Sequence, residues 1–167
     1  SDLFEVTALP RSVHKLLNRE RLSIVVLGDS ISAGGNSSKS GKSPPLQPAY
    51  PELLQLHLVA RFRSKVDLEN LSLGGKDTSW GLTQVDRIVD AKPDMVILAF
   101  GKKDSAARSV KDYRENTRKM IAMISEKVPT AEFILVASML GNRDWTGLQH
   151  GLFSGYRDAL AELCRPG

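Results

Sequence analysis

An α/β fold with a parallel sheet and helices on both faces is predicted by three features of this 167-residue sequence. Short aliphatic and β-branched runs, apolar enough to be buried on both faces, alternate four times with segments of helical periodicity. Polar clusters containing glycine follow three of these runs, at 28–30, 74–78 and 101–104. In a parallel sheet such clusters converge on one edge, outside the carboxyl ends of the strands, where ligands bind near the reversal of strand order. A hydrophobic content of 41% and a charged content of 25% are those of a soluble globular chain with room for a proper core.

Residues 1–9 read as an extended arm, and Pro10 suits the first position of a short helix reaching about Asn18. The first strand covers 22–27, a run buried on both faces that Gly28 breaks. A long loop at 31–48, rich in Gly, Ser, Lys and Pro, follows; loops of this length are usually functional or mobile. Pro51 opens a second helix carrying Leu53, Leu54, Leu56, Leu58 and Val59 to about Arg63. The next strand is expected over 66–73. A helix capped by Ser79 then presents Leu82, Val85, Ile88 and Val89, and Lys92-Pro93 ends it. Asp94 to Phe100 is the third strand. Ser109 and Asp112 have the spacing of a capping box, opening a helix with Tyr113, Thr117, Met120, Ile121 and Ile124 at helical spacing. Phe133 to Met139 is the fourth strand, a loop covers 140–153, and a last helix runs over about 154–164. The sequence predicts one domain over 1–167 and contains no internal repeat.

Composition removes several classes of function. No apolar run is long enough to span a bilayer. One cysteine, Cys164, excludes an internal disulfide framework and a cysteine-based zinc site. The net charge of +4 comes from 23 basic residues interleaved with 19 acidic ones, and aromatics make up 6% of the chain. Nucleic-acid binding shows instead a basic stripe or a stacking platform, so the charge reads as a solvated surface and no nucleic-acid partner is expected. Gly35 to Ser43 nearly spells a phosphate-binding P-loop, but Asn36 stands where the leading glycine belongs. The stretch runs into Pro44-Pro45 rather than a helix, and the motif is rejected.

Gly28-Asp29-Ser30 leaves two alternatives: a serine just past a buried strand is a nucleophile or a helix cap. Convergence of three such clusters on one sheet edge favours the nucleophile. Asp29, Asp77 and Asp104 read as residues that fix turns and cap helices.

On Gly28-Asp29-Ser30, Asn70-Leu71-Ser72-Leu73-Gly74-Gly75 and Gly101-Lys102-Lys103-Asp104, in this order and each after a strand, the sequence resembles the SGNH, or GDSL, hydrolases. The resemblance covers Leu22 to the final helix. It implies serine ester or acyl hydrolysis on a flavodoxin-like, three-layer α/β/α sheet, with no metal or cofactor. Ser30 would be the nucleophile, and the backbone N–H groups of Ser30 and Gly75 would be oxyanion donors. Gly28 to Asn36, with Gly74-Gly75, looks most like members acting on acetylated carbohydrates.

Two departures matter. Lys103 stands where the family has the asparagine that donates to the oxyanion, and an ammonium is a mobile, strongly hydrated donor. The family's Asp-x-x-His block lies after a fifth strand, and no such motif occurs in the sequence. The expectation is therefore a C-terminally truncated member with four of five strands and impaired catalysis. An exposed edge on the fourth strand would then promote self-association or pairing with a C-terminal fragment. Of the histidines, His14 and His57 fall on helices. His150, in the loop after the fourth strand and six residues beyond Asp144, is the candidate base within the chain.

Three readings of function follow: a serine esterase acting on a small acyl or acetyl ester, an inactive relative that binds acyl or sugar groups, and a flavodoxin-like phosphate-binding module. The three blocks favour the first, the absent Asp-x-x-His the second, and the failed P-loop counts against the third.

Overall fold

A computed structural model describes residues 8–35, 37–139, 144 and 147–164. Most of the expected N-terminal arm, Asn36 and part of the loop at 140–153 lie outside the described residues. The elements follow in the order α1 (Pro10–Leu17), β1 (Leu22–Gly28), α2 (Tyr50–Phe62), β2 (Val66–Asn70), α3 (Thr78–Leu82), α4 (Val85–Asp90), β3 (Met95–Ala99), α5 (Val110–Lys127), β4 (Glu132–Leu135) and α6 (Leu152–Leu163). All strand pairings are parallel, and the sheet order is β2-β1-β3-β4. Strand order therefore reverses between β1 and β3, with Gly28 paired to Ala99 at their carboxyl ends.

Strand alternation divides the core between the two faces. Val25, Leu27, Val96 and Leu98 join Ile88, Tyr113, Met120, Ile124 and Tyr156 from α4, α5 and α6 in one cluster. Ile24, Val26, Met95 and Ile97 pack with Leu16 of α1, and Leu54, Leu58 and Phe62 of α2 lie against them. This is the three-layer arrangement expected of the sequence, with four strands among the described residues. Leu54, Leu58 and Phe62 recur every four residues and form the inward face of α2, whereas Leu56 and Val59 are exposed.

Three boundaries differ from the sequence reading. The single helix expected to be capped by Ser79 is two short helices, α3 and α4; Asp77, not Ser79, caps α3, its side chain accepting from the Trp80 N–H at 3.1 Å. Thr83 turns its hydroxyl back onto the Trp80 carbonyl at 2.7 Å, a local bond that competes with the helix at the break. β2 ends at Asn70, whose side-chain oxygen accepts from the Ser72 N–H at 3.1 Å and turns the chain. β4 is shorter than expected, although the Val136 N–H still reaches the Leu98 carbonyl at 2.9 Å.

Candidate active site

β1 delivers Asp29 and Ser30 to the reversal point because Gly28 lets two backbones meet there. A Cβ built at Gly28 would lie 2.4 Å from the Ala99 carbonyl oxygen and 2.6 Å from Ser32 Oγ. The Asp29 N–H donates to that same Ala99 carbonyl at 3.2 Å. The Asp29 carboxylate is buried and accepts the Ile31 N–H at 3.0 Å, so it shapes the turn that presents Ser30. Burial raises its pKa above the usual carboxylate range, against the lowering effect of N–H groups from Ile31 and Lys102 and the Lys102 charge.

Ser30 is half-buried, and its carbonyl accepts the Gly35 N–H at 2.7 Å. Its hydroxyl has no hydrogen-bond partner among the described residues and lines a cavity of about 320 Å³. Gly75 and Lys103 line the same cavity, with Asp29, Lys102 and Leu148. Three of the four residues expected at the site, from three separate βα units, are thus brought to one wall.

The second loop approaches closely. A Cβ at Gly74 would come within 3.7 Å of the Ser30 Cβ, and Asn70 Nδ2 donates to the Ser32 carbonyl at 2.7 Å. Gly75 has φ +75°, a conformation that favours glycine, and open space surrounds the place a Cβ would take. In the third loop Gly101, at φ +137°, passes so near β4's continuation that a Cβ would lie 2.9 Å from the Ser138 Cβ. Lys103 is exposed, and the next residue, Asp104, is fully buried. Burial raises the Asp104 pKa, against hydrogen bonds from Thr78.

His150 is the fourth expected residue, and it does not line this cavity, although Gly147 and Leu148 of its loop do. Its ring stands 6.3 Å from that of Phe153, and its Nε2 is buried without a hydrogen-bond partner among the described residues. The loop is pinned by the Gln149 N–H on the Ser105 carbonyl at 3.2 Å. His14 and His57 are exposed on α1 and α2. None of the three histidines is on the Ser30 wall.

A second, mostly apolar cavity of about 220 Å³ lies on the other side of Asp29, between Ile31, Phe100 and Val136. Tyr50 and Ser32 close it with a mutual hydroxyl hydrogen bond of 2.9 Å.

The sequence reading missed the ties between loops. Asn70 joins the first to the second; Asp77 receives Arg108 Nε at 2.9 Å and Asp104 receives Thr78, joining the second to the third. The Asp77 carboxylate is raised by partial burial, but the Trp80 N–H and the Arg108 guanidinium outweigh this and hold it below its ordinary value. A polar residue beside each glycine block was the available signal; the partner's identity was not.

Solved structures similar to this chain include esterases and lipases. A lipase/acylhydrolase from Enterococcus faecalis superposes with a TM-score of 0.68 at 24% identity, over 85% of this chain and 70% of that one. TesA superposes with a TM-score of 0.65 at 19% identity, over 84% and 72%. The two-domain esterase CEX, active on acetylated mannans, gives a TM-score of 0.72 at 20% identity, over 93% of this chain and 39% of that one. At these identities the likeness is one of fold. Comparison with curated proteins gave no match. The sequence profile of the GDSL-like lipase/acylhydrolase family matches residues 26–166, so the chain belongs to that family, whose general function is that of an esterase or acylhydrolase.

Proposed function

We propose that the chain is a serine ester hydrolase in which Ser30 Oγ attacks the carbonyl of a small acyl or acetyl ester. The observation that carries this reading is the shared wall of Ser30, Gly75 and Lys103 at the reversal point of the sheet. In the first step the Oγ–C bond forms and the C–O bond to the alcohol breaks. The serine proton passes to a base and then to the leaving alkoxide, and water repeats the sequence to release the acid. The N–H groups of Ser30 and Gly75 stabilise the tetrahedral oxyanion, with the Lys103 ammonium in place of the family's asparagine amide. Acetylated carbohydrates are the proposed substrate class. The Gly28-to-Asn36 stretch supports it, as does the fold likeness to an esterase that acts on acetylated mannans.

Turnover by this chain alone is proposed to be weak, because its wall holds Ser30 without a histidine and holds a lysine in place of the asparagine. His150, two residues beyond Leu148, is the candidate base within the chain. The alternative source is a segment that pairs along the edge of β4, which is unpaired among the described residues, from a C-terminal fragment or a second copy. The same two observations favour the second reading, a relative that binds acyl or sugar groups without turning them over.

Labelling by a fluorophosphonate, followed by intact mass, tests the assignment. Wild type is expected to gain one adduct and Ser30→Ala none, while hydrolysis of a short-chain activated ester stays near background. General-base help is worth about 10²–10⁴ in rate, which is the deficit expected. Equal labelling of Ser30→Ala would falsify the nucleophile assignment. A robust rate abolished by both Ser30→Ala and His150→Ala would identify His150 as the base.

A further inference from the structure

We propose that Asp104 is a positioning residue. Its buried carboxylate fastens the loop carrying Gly75 to the loop carrying Lys103, and so sets the spacing of the oxyanion donors. The inference rests on the reading of Ser30 and Gly75 given above.

Asp104 directly follows Lys103 and is 0% exposed. Its Oδ1 accepts two hydrogen bonds from Thr78, one from the backbone N–H at 3.0 Å and one from Oγ at 2.5 Å. Thr78 is the third residue after Gly75. The direction of the hydroxyl bond is fixed, because Asn116 Nδ2 donates to Thr78 Oγ at 3.1 Å and leaves the threonine proton for Asp104. The Asp104 main chain is held as well: its carbonyl accepts the N–H groups of Arg108 at 2.7 Å and Ala107 at 2.9 Å. Arg108 in turn reaches back to Asp77, the residue before Thr78, at 2.9 Å. Two polar links therefore span the same pair of loops, and that between Asp104 and Thr78 is buried.

The other oxygen, Oδ2, is buried without a hydrogen-bond partner among the described residues. A buried carboxylate with one bare oxygen costs stability, since an unsatisfied buried polar atom carries its full desolvation penalty. What it provides in return is a charge-assisted acceptor, shorter and stronger than a neutral one, at the junction of the two loops. Oxyanion stabilisation depends on donors being fixed before charge develops, and a displacement of about 1 Å costs on the order of 10²-fold. A clasp one residue from position 103 and three from Gly75 controls that displacement directly.

The test compares labelling of Ser30 by a fluorophosphonate and by its P=S analogue. Donors placed for oxygen favour the P=O reagent, so the ratio of the two rates reports donor geometry, which loss of folded protein does not move. In Asp104→Ala the P=O rate is expected to fall roughly 10- to 100-fold and the ratio to drop towards its value for the two reagents with a simple alkoxide in solution. Asp104→Asn keeps an acceptor for Thr78 and is expected to recover most of the ratio; Thr78→Val, which loses the hydroxyl donor alone, should fall between. Leu22→Ala, a core variant at the other end of β1, supplies the control for instability, with its ratio unchanged. Should Asp104→Ala fail to fold, Thr78→Val decides. An unchanged ratio in the folded Asp104 or Thr78 variant overturns the clasp while leaving Ser30 as nucleophile. Absence of wild-type labelling at Ser30 overturns the underlying reading, and the clasp with it.

Discussion

At position 103 an ammonium on a flexible stem stands next to a buried side chain held by Thr78, that of Asp104. An amide at that place has fewer torsions and a planar donor, so Lys103→Asn, in a chain supplied with the family's Asp-x-x-His block, is expected to raise the rate of Ser30-dependent ester hydrolysis. Loss of one oxyanion donor costs about 10²–10³ in rate, which bounds the gain. Steady-state kinetics should show the change in kcat with KM nearly constant, as for a contact made only in the transition state. A fall in kcat would mean that Lys103 holds the substrate by other means. That Ser30, Gly75 and Lys103 come to one cavity wall was legible in the sequence, because each lies in a short motif that follows a strand. The Asp104–Thr78 and Asn70–Ser32 partnerships were not, since they join residues 26 and 38 apart that only the sheet brings together. His150 illustrates the converse: its place in the chain made it a candidate base, and its ring stands 6.3 Å from that of Phe153 while Gly147 and Leu148 of its loop line the Ser30 cavity.

Helix ends show the same division between local and distant information. The capping box of α5 is present as its spacing suggested: Asp112 N–H donates to Ser109 Oγ at 3.1 Å, and Ser109 N–H to the Asp112 carboxylate at 3.3 Å. Ser109→Ala should therefore lower unfolding free energy by about 1 kcal/mol, read as a shift of the urea midpoint without a change in slope. No loss would mean that solvent serves the first turn of α5 equally well. The start of α1 was legible from Pro10, but its cap was not. Leu9 provides no cap, and the N–H groups of Arg11 and Ser12 are instead taken by the Glu132 carboxylate at 2.8 and 2.7 Å. A glutamate 120 residues away at the start of β4 thus does the work of an N-cap, and places negative charge at the positive end of the helix.

For the molecule as a whole, alternation of strand and helix was enough to give a parallel three-layer sheet, because burial on both faces leaves few other arrangements. Strand order and the division of helices between faces were not in the pattern. The face covered by α3 to α6 carries the larger cluster. The other, under α1 and α2, holds an apolar groove of about 400 Å³ walled by Leu16, Leu54, Leu58, Phe62 and Ile134. Among the described residues β4 is the last strand on its side of the sheet, and outer backbone groups left unpaired there are a template for another strand. Light scattering is expected to show apparent mass rising with concentration; a constant monomer mass across a wide range would rule out association through this edge. The backbone contact at Gly28 has a consequence for redesign. Every other amino acid brings a Cβ into the Ala99 carbonyl, so the floor of the pocket is closed to diversification. Its three rims, ending in residues 30, 75 and 103, belong to separate βα units and can be exchanged one at a time. New specificity is therefore best sought by grafting loops onto an untouched sheet.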